Sequence, residues 1–323
     1  MNTQRSFLTA AFRLAAVLLT TASAPAQLGP SRTVTVVNPL PAGGATDVIC
    51  RLIGEKLQAM LGQSVVVENR TGAAGSIAGD FVTRSSPDGQ VLICAPEFLF
   101  ISHLLNPKQS FDPRNLEPVS VHVRFPAVIT ARRDLPASDI RELIDYARLH
   151  PNRLNYASQG PGSMAHILFE AIKIRAKIDM VHVPYRGGAP ALTDLMAGQI
   201  DVYAGPLGAS LTHIQNGRLK ALAVTTPGRV AALPDVPAVS EVVPGLSVET
   251  WNAFAAPPRT PKEITDKISQ AIAKVVQMPD VKARFAALQA DPVGSTPQEM
   301  QAITAGYLQQ MAPVIAAADI RTN

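Results

Sequence analysis

From residue 33 onward, short runs of β-branched residues alternate with stretches whose apolar positions recur at helical spacing. Residues 33–38 (TVTVVN) read as a buried strand, broken by PLPAGG at 39–44. A helix follows to about Leu61, with Val48, Leu52, Ile53 and Leu57 at helical spacing and Thr46 or Asp47 as its cap. Residues 64–68 form a second strand, 72–75 a turn, 76–84 a helix and 90–95 a third strand. That order predicts a parallel sheet with helices on its faces.

The pattern then repeats. A helix at 140–149 precedes a strand at 153–157, a glycine loop at 159–163 and a helix to about Arg175. A strand at 180–183, a loop at 184–188 and a helix to Ala197 come next. Two more strands, 200–203 and 219–225, flank a short helix. From Pro261 the tail reads as helix, broken near Asp291-Pro292 and Thr296-Pro297. The fold class is therefore α/β with two lobes. Extended runs at 119–130 and 247–255 are placed to cross between them, which makes the first lobe discontinuous. The expected division is 27–124 for the first part of lobe 1, 125–246 for lobe 2 and 247–323 for the completion of lobe 1.

Residues 1–26 stand outside that pattern. Arg5 and Arg13 give a basic start without acids, residues 14–19 (LAAVLL) are apolar, and Ala24-Pro25-Ala26 is a small-x-small site. This is the order of a cleaved secretory signal peptide, and its apolar core is well short of the ~20 residues a membrane span needs. The mature protein is expected outside the cytoplasm. Cys50 and Cys94 would then meet an oxidising environment. Both lie in apolar runs, and the expectation is two buried thiols rather than a disulfide.

Composition narrows the function classes. With 47% hydrophobic and 17% charged residues, the chain is too apolar to be disordered. The net charge of +4 includes no Lys/Arg-rich run, so no nucleic-acid footprint is present. The six histidines show no paired metal spacing, and no Cys-x-x-Cys occurs. Gly-x-Ser-x-Gly and the P-loop signature are absent as well. Gly160-x-Gly162-x-x-Ala165 with Asp179 further on is a weak dinucleotide signal in a secreted chain, and no cofactor is expected.

The loops carry the remaining chemistry. Residues 41–47 and 158–163 each place glycines between a strand's C-terminal end and the next helix. Open parallel sheets bind ligands there, and helix N-termini favour anions. Two such loops, one per lobe, suit a carboxylate held across a cleft. His166 sits in the first turn after the second loop, where capping or packing competes with ligand contact. Tyr185 and Trp251 are open between cleft and core.

Read together, the residues resemble the Bug-type solute-binding proteins, the extracytoplasmic receptors of tripartite tricarboxylate transport systems. The resemblance rests on Pro41-Ala42-Gly43-Gly44-x-x-Asp47, Glu68-Asn69-Arg70-x-Gly72-Ala73-x-Gly75 and Tyr156-Ala157-Ser158-x-Gly160-x-Gly162-Ser163-x-x-His166. It continues through Val181-His182-Val183-Pro184-Tyr185-Arg186-Gly187, Gly198-Gln199-Ile200-Asp201 and Leu233-Pro234-Asp235-Val236-Pro237.

The resemblance implies a periplasmic-binding-protein fold, type II-like, with two α/β lobes joined by crossing strands around a ligand cleft. It implies a periplasmic, monomeric, non-enzymatic receptor for a small carboxylate, partnered by the membrane subunits of that transporter type. In this family the first loop, here residues 42–46, holds a carboxylate through backbone amides and ordered water, and Leu40, Ala42, Gly43, Gly44, Thr46 and Asp47 are implied as ligand-binding. Gly72, Ala73 and Gly75, Ser158, Gln159, Gly160 and Ser163, with His166, and Tyr203, Ala204 and Gly205 are implied to line the rest.

Three departures touch those loops. Leu40 stands where an aromatic is common, and Glu97 follows a strand where small neutral residues are common. Ala204 and Gly205 replace a usual Phe-Asp pair. Glu97 either faces the cleft or points to solvent at a helix start. A secreted enzyme using Glu97 or His166 as acid or base, and a sensor for a membrane signalling partner, are the alternatives.

Overall fold

The structure, a computed structural model, describes residues 33–322. The segment read as a signal peptide lies outside the described residues. Within them the chain runs β1 (Val34–Asn38), α1 (Ala45–Leu61), β2 (Val65–Asn69), α2 (Ser76–Thr83), β3 (Val91–Pro96) and α3 (Ser102–Leu105). It continues through β4 (Glu117–Phe125), β5 (Ala127–Arg132), α4 (Ile140–Leu149), β6 (Asn155–Ser158), α5 (Met164–Ala176), β7 (Val181–Pro184) and α6 (Gly188–Met196). Then come β8 (Val202–Pro206), α7 (Leu207–Gln215), β9 (Leu219–Val224), β10 (Thr250–Ala256), α8 (Lys262–Val275), α9 (Pro279–Ala287), β11 (Asp291–Pro292) and α10 (Pro297–Ala317).

Two sheets result. The first has the order β11-β4-β10-β3-β1-β2 and the second β7-β6-β8-β5-β9. In each, three parallel strands are followed by antiparallel ones: β10 runs against β3 and β4, and β5 runs against β8 and β9. The extended run expected to cross between lobes is two strands, not one. Pro126, which has no N–H for a ladder, separates β4 of the first sheet from β5 of the second. The chain returns between β9 and β10, where Thr225 Oγ1 donates to the Val248 carbonyl at 2.5 Å. This is the expected α/β architecture of two lobes joined by crossing strands.

Burial explains the strand composition. β3 (VLICAP) is covered on both faces and reads as an apolar run rather than an alternation. α1 turns Ile49, Ile53 and Leu57 onto the first sheet, while Val48 and Leu52 sit half-buried beside that stripe. The tail was expected to be nearly all helix. Its break at Asp291-Pro292 is instead a short strand against β4 at Arg124 and Val123. At the second break Thr296 caps α10, accepting from the Glu299 amide while Glu299 reaches back. α10 then packs on β4 and on α5 of the other lobe, so one continuous core spans both sheets.

The cysteines correct the reading from sequence. Cys50 of α1 and Cys94 of β3 form a disulfide. The apolar context is real, since both residues are fully buried, but helix and strand bring together two sulfurs that stand 44 positions apart in sequence. Replacing both with alanine is expected to cost about 4 kcal/mol of stability, the loop-closure contribution of such a link. A urea melt checks this, and an unchanged midpoint would refute it.

His122 of β4 is fully buried against Phe254, and among the described residues its ring nitrogens make no well-formed hydrogen bond, only a weak interaction with the Ser120 backbone. Burial holds its pKa down at about 3. The folded state therefore prefers the neutral ring, and stability is lost as pH falls through the unfolded-state value of about 6.5 toward the folded value. His122→Leu is expected to raise stability by about 1 kcal/mol at pH 7, by removing poorly paired polar atoms. At pH 5 the gain should grow by about 2 kcal/mol. Thermal melts at the two pH values test the sign and the slope.

Candidate functional site

The C-terminal ends of β1, β3, β6 and β8 point toward one another, and the loops that leave them enclose a cleft of about 510 Å³. Lobe 1 contributes Leu40, Thr46, Ala73, Glu97 and Asn252 among others, and lobe 2 contributes Gln159, Ser163 and Arg186.

The lobe 1 wall is built around the start of α1. The expected cap by Thr46 or Asp47 does not form. Gly44 is the N-cap and offers no side chain, so Ala45 and Thr46, which line the cleft, carry first-turn amides without a side-chain cap. Thr46 Oγ1 instead accepts from Asn252 Nδ2 at 3.2 Å. Asp47 is buried beneath the loop and binds its frame. Its carboxylate accepts from the Gly43 amide at 2.9 Å, Asn38 at 3.2 Å, Asn69 at 2.7 Å and Arg51 at 3.0 Å. Burial opposes its charge, but the bonds from Arg51, Gly43, Asn69 and Asn38 outweigh it and hold the carboxyl well below the usual range. Asp47 therefore shapes the loop and does not itself line the cleft.

On the neighbouring turn, Ala73 enters the left-handed region at φ 46° between Gly72 and Gly75, which lie at 123° and 91°. That run of positive φ brings Ala73 and Ser76 to the cleft at the start of α2.

The lobe 2 wall mirrors this layout. Ser163 is the N-cap of α5, and its hydroxyl makes no cap hydrogen bond and has no other partner among the described residues. Gln159 donates through Nε2 to the Tyr203 hydroxyl at 2.7 Å, which leaves its buried Oε1 without a partner. Ser158 and His166 act behind the loop. Ser158 Oγ lies 2.7 Å from His182 Nε2, and His166 Nδ1 accepts the Gly162 amide at 3.1 Å. The two imidazoles stack with centroids 3.9 Å apart. Burial, and then the neighbouring His166, hold the His182 pKa down at about 4, and burial also lowers that of His166. Both rings are thus neutral at pH 7, as an Nδ1 acceptor requires.

The remaining positions sort by packing. Ala42, Gly43 and Gly44 form the exposed tip of the first loop, and Gly160 turns the second loop at φ 123°. Tyr203 and Ala204 are buried in β8. A side chain on Gly205 would collide with the Tyr203 hydroxyl, which fills the space where the usual acid would stand. Tyr185 donates to Asp194, and Trp251 stacks on Phe100 in the core, so neither lines the cleft.

Glu97 does not point to solvent. It lines the cleft floor at 3% exposure, with Oε2 accepting the Trp251 amide at 3.4 Å. Sequence reasoning missed Asn106, Gln109, Arg186, Asn252 and Thr322, which also line the cavity. Arg186 was visible only as part of a loop motif. Asn252 is the one polar side chain within WNAFAA, a signal that could have marked it.

Chemically, the arrangement offers unpaired helix-start groups on two facing walls and no nucleophile poised beside a base at the cavity surface. Among the described residues no cluster of His, Cys, Asp and Glu could hold a metal ion. Residues 49–320 match the family described as tripartite tricarboxylate transporter family receptor. The chain is 34% identical over 289 residues to a UPF0065 protein of Pseudomonas sp. strain P51, covering 88% of this chain and 86% of that one. It is 32% identical to protein BugT of Bordetella pertussis over 290 residues, 88% and 89% of the two chains. Among solved structures it resembles an R. palustris protein with adipate, at a TM-score of 0.79, 32% identity and 90% and 98% coverage. It also resembles MatC from Rhodopseudomonas palustris with bound malate, at 0.76, 30%, and 88% and 99%.

Proposed function

Because the chain belongs to the tripartite tricarboxylate transporter receptor family, we propose that its cleft captures a small carboxylate outside the cytoplasm for the membrane subunits of such a transporter. The observation that carries this is the pair of helix starts, α1 and α5, on opposite walls without side-chain caps. Each presents backbone N–H groups and the positive end of a helix dipole, which together bind an anion without a dedicated arginine. Adipate and malate, named with two of the related structures, are both small carboxylates, which is the ligand class this reading needs. The protein works as a periplasmic monomer, released by cleavage after Ala26, and has no enzymatic or nucleic-acid role. The Cys50–Cys94 disulfide favours that oxidising compartment. Lobe boundaries near 124/125 and 246/247 put the hinge at the two crossings, so ligand closes the lobes.

A thermal-shift panel of mono-, di- and tricarboxylates tests the reading. A ligand at a hundred times its Kd should stabilise by about 2.7 kcal/mol. Absence of any shift across the panel would overturn it.

A further inference from the structure

The cleft has an unusual charge layout. Among the residues lining it, Glu97 in the lobe 1 floor and Arg186 on the lobe 2 rim are the only charged ones. They do not pair with each other or with any other ionised side chain among the described residues. Arg186 is exposed and makes no hydrogen bond or ion pair there. Glu97 is buried, and among the described residues its donors are only backbone amides, its own and that of Trp251 at the long distance of 3.4 Å.

A plain dianion fits this layout poorly. One carboxylate can sit on the helix starts, but a second that reaches the lobe 1 floor would approach an acid, because the unpaired cation, Arg186, stands on the opposite rim and not beside Glu97. Like charges in a poorly solvated site repel. A ligand with an ammonium group at that end supplies the donors Glu97 lacks, and charge-assisted hydrogen bonds are the strong ones. We propose that Glu97 is a specificity-determining residue that selects, among small carboxylates, those carrying an ammonium group, which pairs with its carboxylate while the ligand carboxylate meets the helix starts. This rests on the carboxylate-binding reading above and names the ligand class within it.

The surroundings of Glu97 make its charge state separable from that of other groups. β10 faces it with the Trp251 amide, and α10 faces it with the buried Tyr307 hydroxyl, which has no hydrogen-bond partner among the described residues and whose pKa is raised by burial and then by Glu97. No ionised side chain acts on it. Burial pushes its own pKa up to about 7. Glu97 is therefore mostly ionised at pH 8 and mostly neutral at pH 6.2. Affinity for an aminocarboxylate should fall across that range as the partner charge is lost, and affinity for a dicarboxylate should rise.

The test uses matched pairs of nearly equal length: succinate with 4-aminobutyrate, glutarate with 5-aminopentanoate, and adipate with 6-aminohexanoate. Calorimetry on the purified protein at pH 8 should show the best aminocarboxylate binding at least tenfold tighter than its dicarboxylate match. Glu97→Gln should erase or invert that ratio, and so should lowering the pH of the parent to 6.2, where most of Glu97 is neutral while the dicarboxylates are still mostly dianions. The ratio cancels any effect of His166 and His182 on the loop, since both ligands of a pair meet the same loop. The parent's pH series decides the matter even when Glu97→Gln fails to fold. Tighter or equal dicarboxylate binding at pH 8, or a ratio unmoved within twofold by pH, overturns the Glu97 assignment while leaving the carboxylate reading intact. Failure of both series to bind overturns both.

Discussion

Gly44→Val weakens binding of the best carboxylate ligand by about 3–5 kcal/mol, at least a hundredfold, with little change in melting temperature. The loss corresponds to about two charge-assisted hydrogen bonds from the α1 start. Gly44 separates binding from folding because its backbone makes no special demand. It lies at φ −73° and ψ 166°, a conformation any residue adopts, and an added Cβ meets nothing closer than the Pro41 carbonyl at 3.8 Å. Valine therefore fits the fold. It is a poorer N-cap than glycine by about 1 kcal/mol. Its branched side chain stands beside Pro41 and Ala45, which line the cleft, and keeps a carboxylate off the amides. Calorimetry on parent and variant checks the affinity, and circular dichroism checks the fold. Unchanged affinity would remove α1 from the site.

Gly162→Ala has the second large effect, divided between stability and binding. Gly162 sits at φ 76°, where an L-residue costs about 1–2 kcal/mol. That cost falls on the folded protein, open or closed. A Cβ there would also lie 2.5 Å from Leu105 Cδ1, on the other lobe. This overlap exists only while the lobes meet, and overpacking of that kind costs about 1–3 kcal/mol. It should appear as weaker ligand affinity. Adding Leu105→Ala should restore affinity but not stability, since it clears the overlap and leaves the backbone strain. A double mutant no tighter than Gly162→Ala alone would mean that the Gly162–Leu105 contact is not part of the ligand-bound state.

Much of the fold was legible in the chain because its signals are local. Strand runs, glycine loops and helical spacing are each read within about ten residues. The two glycine loops were recognisable for the same reason, and Leu40, Thr46, Gln159 and Ser163 from their surroundings line the cleft. What escaped depends on distant partners. The Cys50–Cys94 bond looked like two apolar positions, because nothing near either residue marks the other. The strand at Asp291-Pro292 exists only because β4 offers an edge. Asn252 and Thr322 reach the cleft through a returning strand and the chain's last described residue, far from any loop motif. Glu97 could not be assigned to cleft or solvent from sequence, since its burial is imposed by β10 and α10. Asp47 was read as a cap or ligand residue. Its four bonds to Asn38, Gly43, Arg51 and Asn69 are visible only once β1, β2 and α1 have met.

The central claim is that a ligand carboxylate lies between the starts of α1 and α5. A crystal structure with the tightest-binding carboxylate of the panel tests it most directly. The account predicts carboxylate oxygens within about 3 Å of the Ala45 and Thr46 amides, directly or through one ordered water, with the 158–163 loop closing from the other lobe. A ligand bound outside the cleft, or one whose carboxylate pairs only with a cationic side chain while those amides face bulk solvent, would contradict it.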